Sequence, residues 1–531
     1  MQTTEMVEME AGYFMDDKVV IKTSEAIPFY TPNIVSPAEY KMKIKVNGNT
    51  FNGTSCIKWT HRDNKPLQTL YIQGEYTNLE ITSHEDCKID RDKNVTLIML
   101  NKPLSINESV AINIDFCGDM VTSPFCDGDG SVIMPKNYDD SWPPWYPVLT
   151  WDMPVCGHYH LEVDEPKGYR ICATGRRDGN TYTQDFVRVF GLLFCKGLEY
   201  IEQAVGDVTV KAFFKQSDQI AAGRLMDTSV DAIQFFQELM GFYPQHSYSF
   251  LPYSSKWMGG GNWSTGIAFF HSMDSYNEAE CGEKLWIAAH EICHHYFMEY
   301  IPDGDYCGWL EIGLGMVMDE EYSISRGIAN RGLGKVKSSA GSVIKYHQDG
   351  NDTTIWRTIE AFNHANKSGN DYQSIIRHDK AFCVMQMLKQ VIGKEALLDA
   401  MKRILNEYAG KALRTMDFWR ICEEISGMRL DWFFTDLLYS NRLAGYKITS
   451  IEGIDEGTSV TVESFGDYKF PVFIDARLPD GSILRQQLNR LMCKQVIFFD
   501  AKPEDIEVWI NTDGQLLIQT YDAINVYGGD C

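Results

Sequence analysis

Hydrophobic and polar residues alternate in short runs through the first part of the chain, up to about residue 195. A period of two residues is typical of strands that bury one face, and turn-forming clusters such as Asp127-Gly128-Asp129-Gly130 separate the runs. The pattern therefore predicts a β-sandwich-like domain. Its predicted strands are Lys41–Val46, Leu70–Gln73, Thr96–Leu100, Val110–Phe116, Tyr159–Val163 and Phe186–Phe194.

Beyond about residue 227 the spacing of apolar residues becomes that of helices. One helix is predicted from Asp227 up to Gly241, and the segment Glu283–Glu299 predicts an amphipathic helix. After Tyr446 the alternation returns and predicts a small C-terminal β-sandwich. The other predicted helices are Leu310–Ser323, Asp379–Ile392, Lys394–Tyr408, Met416–Ile425 and Leu430–Tyr439, and the late strands are Ser459–Ser464, Pro471–Ala476, Gln495–Asp500 and Asp505–Asn511.

A chain of 531 residues is too long for a single hydrophobic core. The succession of elements predicts a multidomain α+β protein. We place the N-terminal β domain at residues 1–195, a mainly helical domain at 196–445 and the C-terminal β-sandwich at 446–531.

The net charge of −24 excludes nucleic acid and anionic membrane surfaces as expected partners. The acidic N-terminus lacks the basic start and apolar run of a secretory signal, and no apolar stretch is long enough to span a bilayer. The 14 cysteines include no CxxC pair, which favours reduced thiols over a disulfide framework. We therefore expect a cytoplasmic protein.

The segment His290-Glu291-Ile292-Cys293-His294 contains the pattern HExxH within the predicted amphipathic helix. Two histidines four residues apart lie on one face of a helix and can bind one metal ion, while the glutamate can take a proton from a metal-bound water. The pattern predicts one Zn2+ per chain, held by His290 and His294, with Glu291 as the general base. His295 points about 100° away from this face and is predicted to lie behind the ligands or at the surface.

Catalytic zinc takes three protein ligands and keeps one position open. The downstream segment Trp309-Leu310-Glu311-Ile312-Gly313 resembles that of the gluzincin family of aminopeptidase N, whose pattern is HExxH-x18-E with the last glutamate in WLNEGFA. An ungapped match places the family's glutamate on Ile312, which cannot bind a metal. The preceding loop is one residue shorter than the family's, so we predict Glu311 as the third ligand. Glu320, Glu299 and a site with two histidines alone are the alternatives.

The resemblance extends along nearly the whole chain, in the family's order. It implies a thermolysin-like, mainly helical catalytic domain at 196–445 between the two β domains. The matching segments are Trp145-Tyr146-Pro147, Tyr159–Gly175, Asp379–Leu388, Asp417–Gly427 and Leu430–Phe434.

The family's GAMEN strand lines the substrate cleft, and its glutamate holds the substrate's free amino group. Here the matching residues are Gly259, Gly260, Gly261 and Asn262, so that Gly261 replaces the glutamate. The glycines would let the backbone approach a peptide closely. A flexible turn is the alternative.

Two further positions depart from the family's pattern. His378 stands in place of the tyrosine that hydrogen-bonds the oxyanion, and a histidine can donate the same bond. An exposed histidine at a helix start is the alternative. Asn137 stands in place of a glutamine or glutamate that also contacts the substrate's amine, which is thus held less strongly.

These residues predict a zinc-dependent metallopeptidase or amide hydrolase that acts on a peptide or small amide. Glu291 would move the proton and His378 would stabilise the oxyanion. The altered amine anchors leave open whether the substrate needs a free N-terminus, and the oligomeric state is also open. One alternative is a catalytically impaired binding or scaffold protein of the same fold, and another is a zinc hydrolase of a non-peptide or N-blocked substrate.

Overall fold

The computed structural model describes residues 35–84, 87–92, 95–122, 131–136, 145–151, 155–253, 259–271, 273–277, 285–305, 307–328, 333–356, 372–455, 457–510 and 517–521. The chain divides into two compact units. The first comprises Met1–Tyr306 and Lys402–Thr415, and the second comprises Cys307–Met401 and Met416–Cys531. An N-terminal β-rich region, a helical middle and C-terminal strands follow one another, which confirms the coarse fold prediction.

Strands dominate the first part of the first unit. The burial of β1 and β2 alternates residue by residue, so each strand turns one face to the core, as the sequence pattern predicts. The strands are Ala38–Asn47 (β1), Thr50–Thr60 (β2), Leu67–Gln73 (β3), Asn78–Ile81 (β4), Lys88–Asp92 (β5), Val95–Leu104 (β6), Ser109–Thr122 (β7), Ser131–Pro135 (β8), Val148–Leu149 (β9), Gly157–Val163 (β10), Arg170–Ala173 (β11), Arg176–Asp178 (β12), Thr181–Val187 (β13), Leu192–Lys196 (β14), Glu199–Val205 (β15), Val208–Phe214 (β16), Ser247–Tyr253 (β17), Gly259–Ser264 (β18) and Ile267–His271 (β19).

The largest sheet runs in the order β11–β14–β8–β7–β2–β1–β10–β13–β12, with β4 beside β7. β1 pairs in parallel with β10, from Ala38 opposite Gly157 to Ile44 opposite Val163. A smaller sheet runs β5–β6–β3–β9. Their inward faces form one core with large buried aromatic residues, including Trp59, Tyr146 and Phe190.

The predicted strand Phe186–Phe194 is wrong, because β13 ends at Val187 and β14 begins at Leu192. Between them the backbone amides bond to side chains instead of to a neighbouring strand. The N–H of Arg188 donates to Oγ1 of Thr265 at 3.1 Å, and the N–H of Phe190 donates to the Tyr146 hydroxyl at 2.8 Å. The partner at Thr265 is distant in sequence, so the pattern did not reveal the break.

A mixed sheet in the order β15–β16–β17–β19–β18 follows within the first unit. The helices, in chain order, begin with α1, which packs on β16 and ends as predicted at Gly241, a residue with φ 91°. The helices are Gln219–Met240 (α1), Trp286–Cys293 (α2), Trp309–Ser325 (α3), Leu333–Gln348 (α4), Ala381–Ile392 (α5), Lys394–Glu407 (α6), Thr415–Ser426 (α7) and Asp431–Leu437 (α8), with a π-helix at Tyr372–Lys380 and short 3-10 turns at Gln216–Asp218, Met273–Tyr276 and Pro503–Asp505.

The segment Lys402–Thr415 belongs to the first unit although it comes late in the chain. The N–H of Gly410 donates to the carbonyl of Tyr300 at 3.1 Å, and the N–H of Leu413 donates to that of Pro302 at 2.9 Å. The late segment therefore completes the backbone hydrogen bonding of the region that follows α2.

In the second unit, α4 was not predicted, because its Ser338-Ser339-Ala340-Gly341-Ser342 run has little apolar character. The signal was the spacing of Val336, Ala340 and Val343, which are buried on one face. The C-terminal strands form sheets in the orders β24–β21–β20–β26 and β23–β22–β25. They are Ala444–Ile454 (β20), Gly457–Ser464 (β21), Phe473–Arg477 (β22), Ile483–Gln487 (β23), Lys494–Phe499 (β24), Glu507–Ile510 (β25) and Ile518–Tyr521 (β26).

Among the described residues, no helix combines the length and apolar character needed to cross a bilayer.

Candidate metal centre

The helix α2 contains the HExxH motif from His290 to Cys293 and is buried along almost its whole length. Every residue from Ile287 to Cys293 is buried, and the helix packs against α1 and β18. A helix without a solvent-facing side is a core element, so its predicted amphipathic character is wrong. Burial keeps the motif in a low-dielectric environment.

The helix ends at Cys293, earlier than the predicted end at Glu299. Past Cys293 the α-helical spacing of four residues is lost. The N–H of His295 donates to the carbonyl of Ile292, three residues back, at 3.1 Å. The N–H of Glu299 donates to the carbonyl of His294, five residues back, at 3.1 Å. His294 is therefore the first residue after the helix rather than part of its middle.

Met298 has a φ of 130°, a conformation that residues with a side chain rarely adopt. Its N–H donates to the carbonyl of Ile301 at 3.1 Å, and its own carbonyl accepts from Arg188 Nη1 at 3.3 Å. A regular helix cannot pass through this conformation, so the predicted helix cannot continue through Met298 to Glu299.

The two histidines of the motif meet at their Nε2 atoms, which lie 3.3 Å apart. Both side chains are buried, with 9% of His290 and 5% of His294 exposed. Two nitrogen ligands held about 2.05 Å from a tetrahedral zinc ion would lie about 3.3 Å from each other. The pair therefore fits two of the four positions around such an ion.

Glu291 is 3% exposed and lies near the phenol of Tyr248. The pKa of Tyr248 lies well above its ordinary value, first because the phenol is buried and then because of the negative charges of Glu291 and Glu299. Tyr248 is therefore a neutral phenol beside the candidate general base.

His295 is fully buried, so it does not lie at the surface, which was one of the two locations predicted for it. The Tyr243 hydroxyl bonds to its Nδ1, and the Tyr248 ring lies against the imidazole at 5.1 Å between centroids. Burial lowers the pKa of His295 to about 3 and raises that of Tyr243 well above its ordinary value. Both groups are therefore neutral, and one hydrogen bond joins them.

The residues Gly259, Gly260, Gly261 and Asn262 lie on β18 and do not form a flexible turn. β18 runs antiparallel to β19, with Gly261 opposite Phe269, and it stands at the end of its sheet order. In the described part of the chain its outer edge has no strand partner, and such an edge can take up an extended peptide. Asn137 lies outside the described residues.

In the second unit, Glu311 is in the first turn of α3 and is 5% exposed. Nη2 of Arg377 donates to Oε1 of Glu311. Gly308, with φ 73°, makes room for this guanidinium, because a Cβ at Gly308 would lie 2.0 Å from Nε of Arg377. The predicted third ligand is therefore engaged by a cation that the sequence prediction missed.

The alternatives to Glu311 also have partners. Oε2 of Glu320 accepts hydrogen bonds from Gln386 at 2.7 Å and Lys389 at 2.5 Å. Glu299 accepts a bond from a backbone N–H in the first unit. Ile312, on which the family's glutamate falls, belongs to a buried apolar cluster with Met316, Val336 and Phe382.

His378 is partly exposed and lies on the π-helix Tyr372–Lys380. The helix predicted at Asp379–Ile392 begins only after this π-helix, at Ala381. Nζ of the buried Lys380 lies 2.7 Å from Oδ1 of Asp352 and 2.8 Å from the carbonyl of Thr353. This buried ion pair fixes the π-helix two residues from His378. π-helical turns occur frequently at functional sites.

Residues 225–437 match the peptidase family M1 domain. This similarity supports a metallopeptidase-type hydrolase and the predicted resemblance to the aminopeptidase N-like gluzincins. No curated protein matches the chain. The match includes the HExxH motif, Glu311 and His378, while the β-rich first 200 or so residues lie outside it.

Within the M1-like region the structure brings together His290 and His294. Over the described residues, no three His, Cys, Asp or Glu side chains are grouped so that they could hold a metal ion. The assignment of Glu311 as third ligand thus stays a prediction. Arg377 was missed although it directly precedes His378, because its partner is 66 residues away in the sequence.

Proposed function

We propose that this chain is a zinc-dependent metallopeptidase or amide hydrolase. The observation that carries the proposal is the 3.3 Å separation of the His290 and His294 Nε2 atoms at the end of a buried helix. These histidines would hold the zinc, with Glu311 as the proposed third ligand. Bound zinc polarises a carbonyl and makes a bound water more acidic.

The chain's own side chains would carry the proton and support the charge that develops. Glu291 accepts a proton from the attacking water and returns it to the nitrogen of the leaving amine. His378 donates a hydrogen bond to the oxyanion. The neutral Tyr248 beside Glu291 adds no charge of its own that would compete for the proton.

The proposed substrate is a peptide or amide that lies along the open edge of β18. Gly259, Gly260 and Gly261 allow its backbone to come close, because they present no side chains. Since Gly261 offers no carboxylate to a free amino group, we propose that N-blocked substrates are accepted as well as free ones.

Replacing Glu291 with Gln tests the mechanism. Turnover of a peptide panel should be lost while the zinc content of the protein stays unchanged, because Glu291 acts on the proton and not on the metal. The matched control is Glu320→Gln, because Glu320 is also a buried glutamate. This variant should turn over the peptides as the wild type does. Turnover retained by Glu291→Gln would refute the proposed role.

The pairing of Arg377 with Glu311 favours a second candidate, a binding or scaffold protein whose metal site is impaired. Metal analysis separates the two candidates. Purified protein with less than about half an equivalent of zinc after dialysis against zinc would support the scaffold, and a full equivalent lost in His290→Ala would support the hydrolase.

A further inference from the structure

Glu299 joins the end of the metal-binding motif to the strand proposed to bind substrate. It is 3% exposed, and its backbone N–H donates to the carbonyl of His294 at 3.1 Å. Its carboxylate Oε2 accepts the N–H of Gly266 at 3.0 Å. Gly266 lies in the turn between β18 and β19. Glu299 therefore connects His294, at the end of the motif, directly to the turn that follows β18.

The turn that Glu299 reaches is held closely on its other sides. Gly266 has a φ of 74°, and a Cβ there would lie 2.8 Å from the carbonyl oxygen of Ser247. Its own carbonyl accepts the N–H of Ser249 at 2.9 Å, and Thr174 Oγ1 donates to the carbonyl of Thr265 at 2.7 Å. A turn fixed in this way transmits a shift of Glu299 to β18 instead of absorbing it.

The surroundings of Glu299 hold its side chain in place. The neutral imidazole of His295 lies 3.9 Å away, measured from Nε2 to Oε2, and is itself held by Tyr243. The thiol of Cys156 donates to the backbone carbonyl of Glu299 at 3.0 Å. The imidazole therefore lies beside the carboxylate, and Cys156 holds the backbone of Glu299.

We propose that Glu299 is a positioning residue that sets how β18 faces the HExxH motif. It acts through the hydrogen bond to Gly266 and touches neither metal nor substrate. This inference rests on the proposed function only in taking β18 as the substrate strand. The link itself is a property of the fold.

Hydrogen exchange followed by mass spectrometry tests the link without any activity. In Glu299→Leu, which lacks the acceptor, the peptide covering 259–271 should exchange about tenfold faster, the effect of one lost hydrogen bond. Glu299→Gln keeps an acceptor oxygen and should restore protection. The matched control is Cys156→Ala, which removes a bond to the Glu299 backbone and should leave 259–271 protected.

Kinetics then tests the consequence for the substrate. Glu299→Leu should raise KM about tenfold for peptides long enough to lie along β18. For a single aminoacyl amide KM should change little, and zinc content should not change in either case. A merely structural role would lower kcat for both substrates and lower Tm, without rescue by Glu299→Gln.

Unchanged exchange of 259–271 in Glu299→Leu would overturn the inference, as would faster exchange spread evenly over the first unit. If Glu299→Leu does not fold, Glu299→Asp, which withdraws the carboxylate by one methylene, gives the same comparison. Wild-type protein that cleaves no substrate would refute the proposed function alone, because the exchange result would still stand.

Discussion

The pair between Arg377 and Glu311 leads to a prediction about metal affinity. Arg377→Met keeps an unbranched apolar stem and removes the guanidinium that engages Glu311. If Glu311 is the third ligand, zinc no longer competes with a cation for its carboxylate. Zinc should then bind more tightly to the variant than to the wild-type protein.

The burial of the two groups sets the size of the effect. Glu311 is 5% exposed and Arg377 is 23% exposed, so water screens their pairing only in part. A hydrogen bond to a charged group contributes about 1.5–3 kcal/mol. At about 1.4 kcal/mol for each factor of ten, the zinc Kd should fall about tenfold to a hundredfold.

The assay is a competition for zinc with a chromophoric chelator. Lys389→Met serves as the matched control. Lys389 is 19% exposed and pairs with Glu320, which lies on α3 as Glu311 does. Its zinc Kd should equal that of the wild type. Without metal, Arg377→Met should also have a lower Tm than the wild type, since the buried Glu311 carboxylate loses its partner.

A double variant decides between this explanation and a general loosening of the site. Adding Glu311→Gln to Arg377→Met should remove the gain in affinity. A zinc Kd within about twofold of the wild-type value in Arg377→Met would refute the reasoning. A gain that persists in the double variant would refute it too, because Glu311 would then not be the ligand.

Two further substitutions test strain and charge in the first unit. Met298→Gly should increase the free energy of unfolding by about 1 kcal/mol and so raise the urea midpoint. A φ of 130° costs a residue with a side chain of order 1–3 kcal/mol, and the greater freedom of glycine in the unfolded chain offsets part of the gain. An unchanged or lower midpoint would contradict the strain. The pKa of His246 lies below its ordinary value, first because the imidazole is partly buried and then because of the positive charge of Arg176. The unfolded state therefore binds more protons than the folded state, and stability is lost as the pH falls through about 6.5. His246→Gln should therefore flatten the dependence of Tm on pH between about 7 and 5.5, and equal slopes would contradict this assignment.

The sequence predicted those elements whose signals are local. The alternation in Lys41–Val46 lies within β1, and Gly241 ends α1 as expected. The motif itself was also a local signal, because a four-residue spacing places His290 and His294 on one face. The structure shows in addition that α2 is buried in the core.

What the sequence did not reveal depends on partners that are distant in the chain. The backbone at Met298, where the predicted helix would have continued, bonds to Arg188 more than a hundred residues earlier, and the break before β14 involves Thr265. The burial of His295 comes from Tyr243, which no helical pattern connects to it. The engagement of Glu311 by Arg377 is of the same kind, and it changes the interpretation of the site more than the others do.

The late return of Lys402–Thr415 to the first unit has a consequence for how the protein forms during synthesis. Until this segment leaves the ribosome, the carbonyls of Tyr300 and Pro302 lack the donors at Gly410 and Leu413. The whole of Cys307–Met401 must be made in between, and contacts over such a distance form slowly. A nascent or proteolysed chain that stops before Lys402 therefore holds both histidines of the motif without the backbone that closes the region behind them.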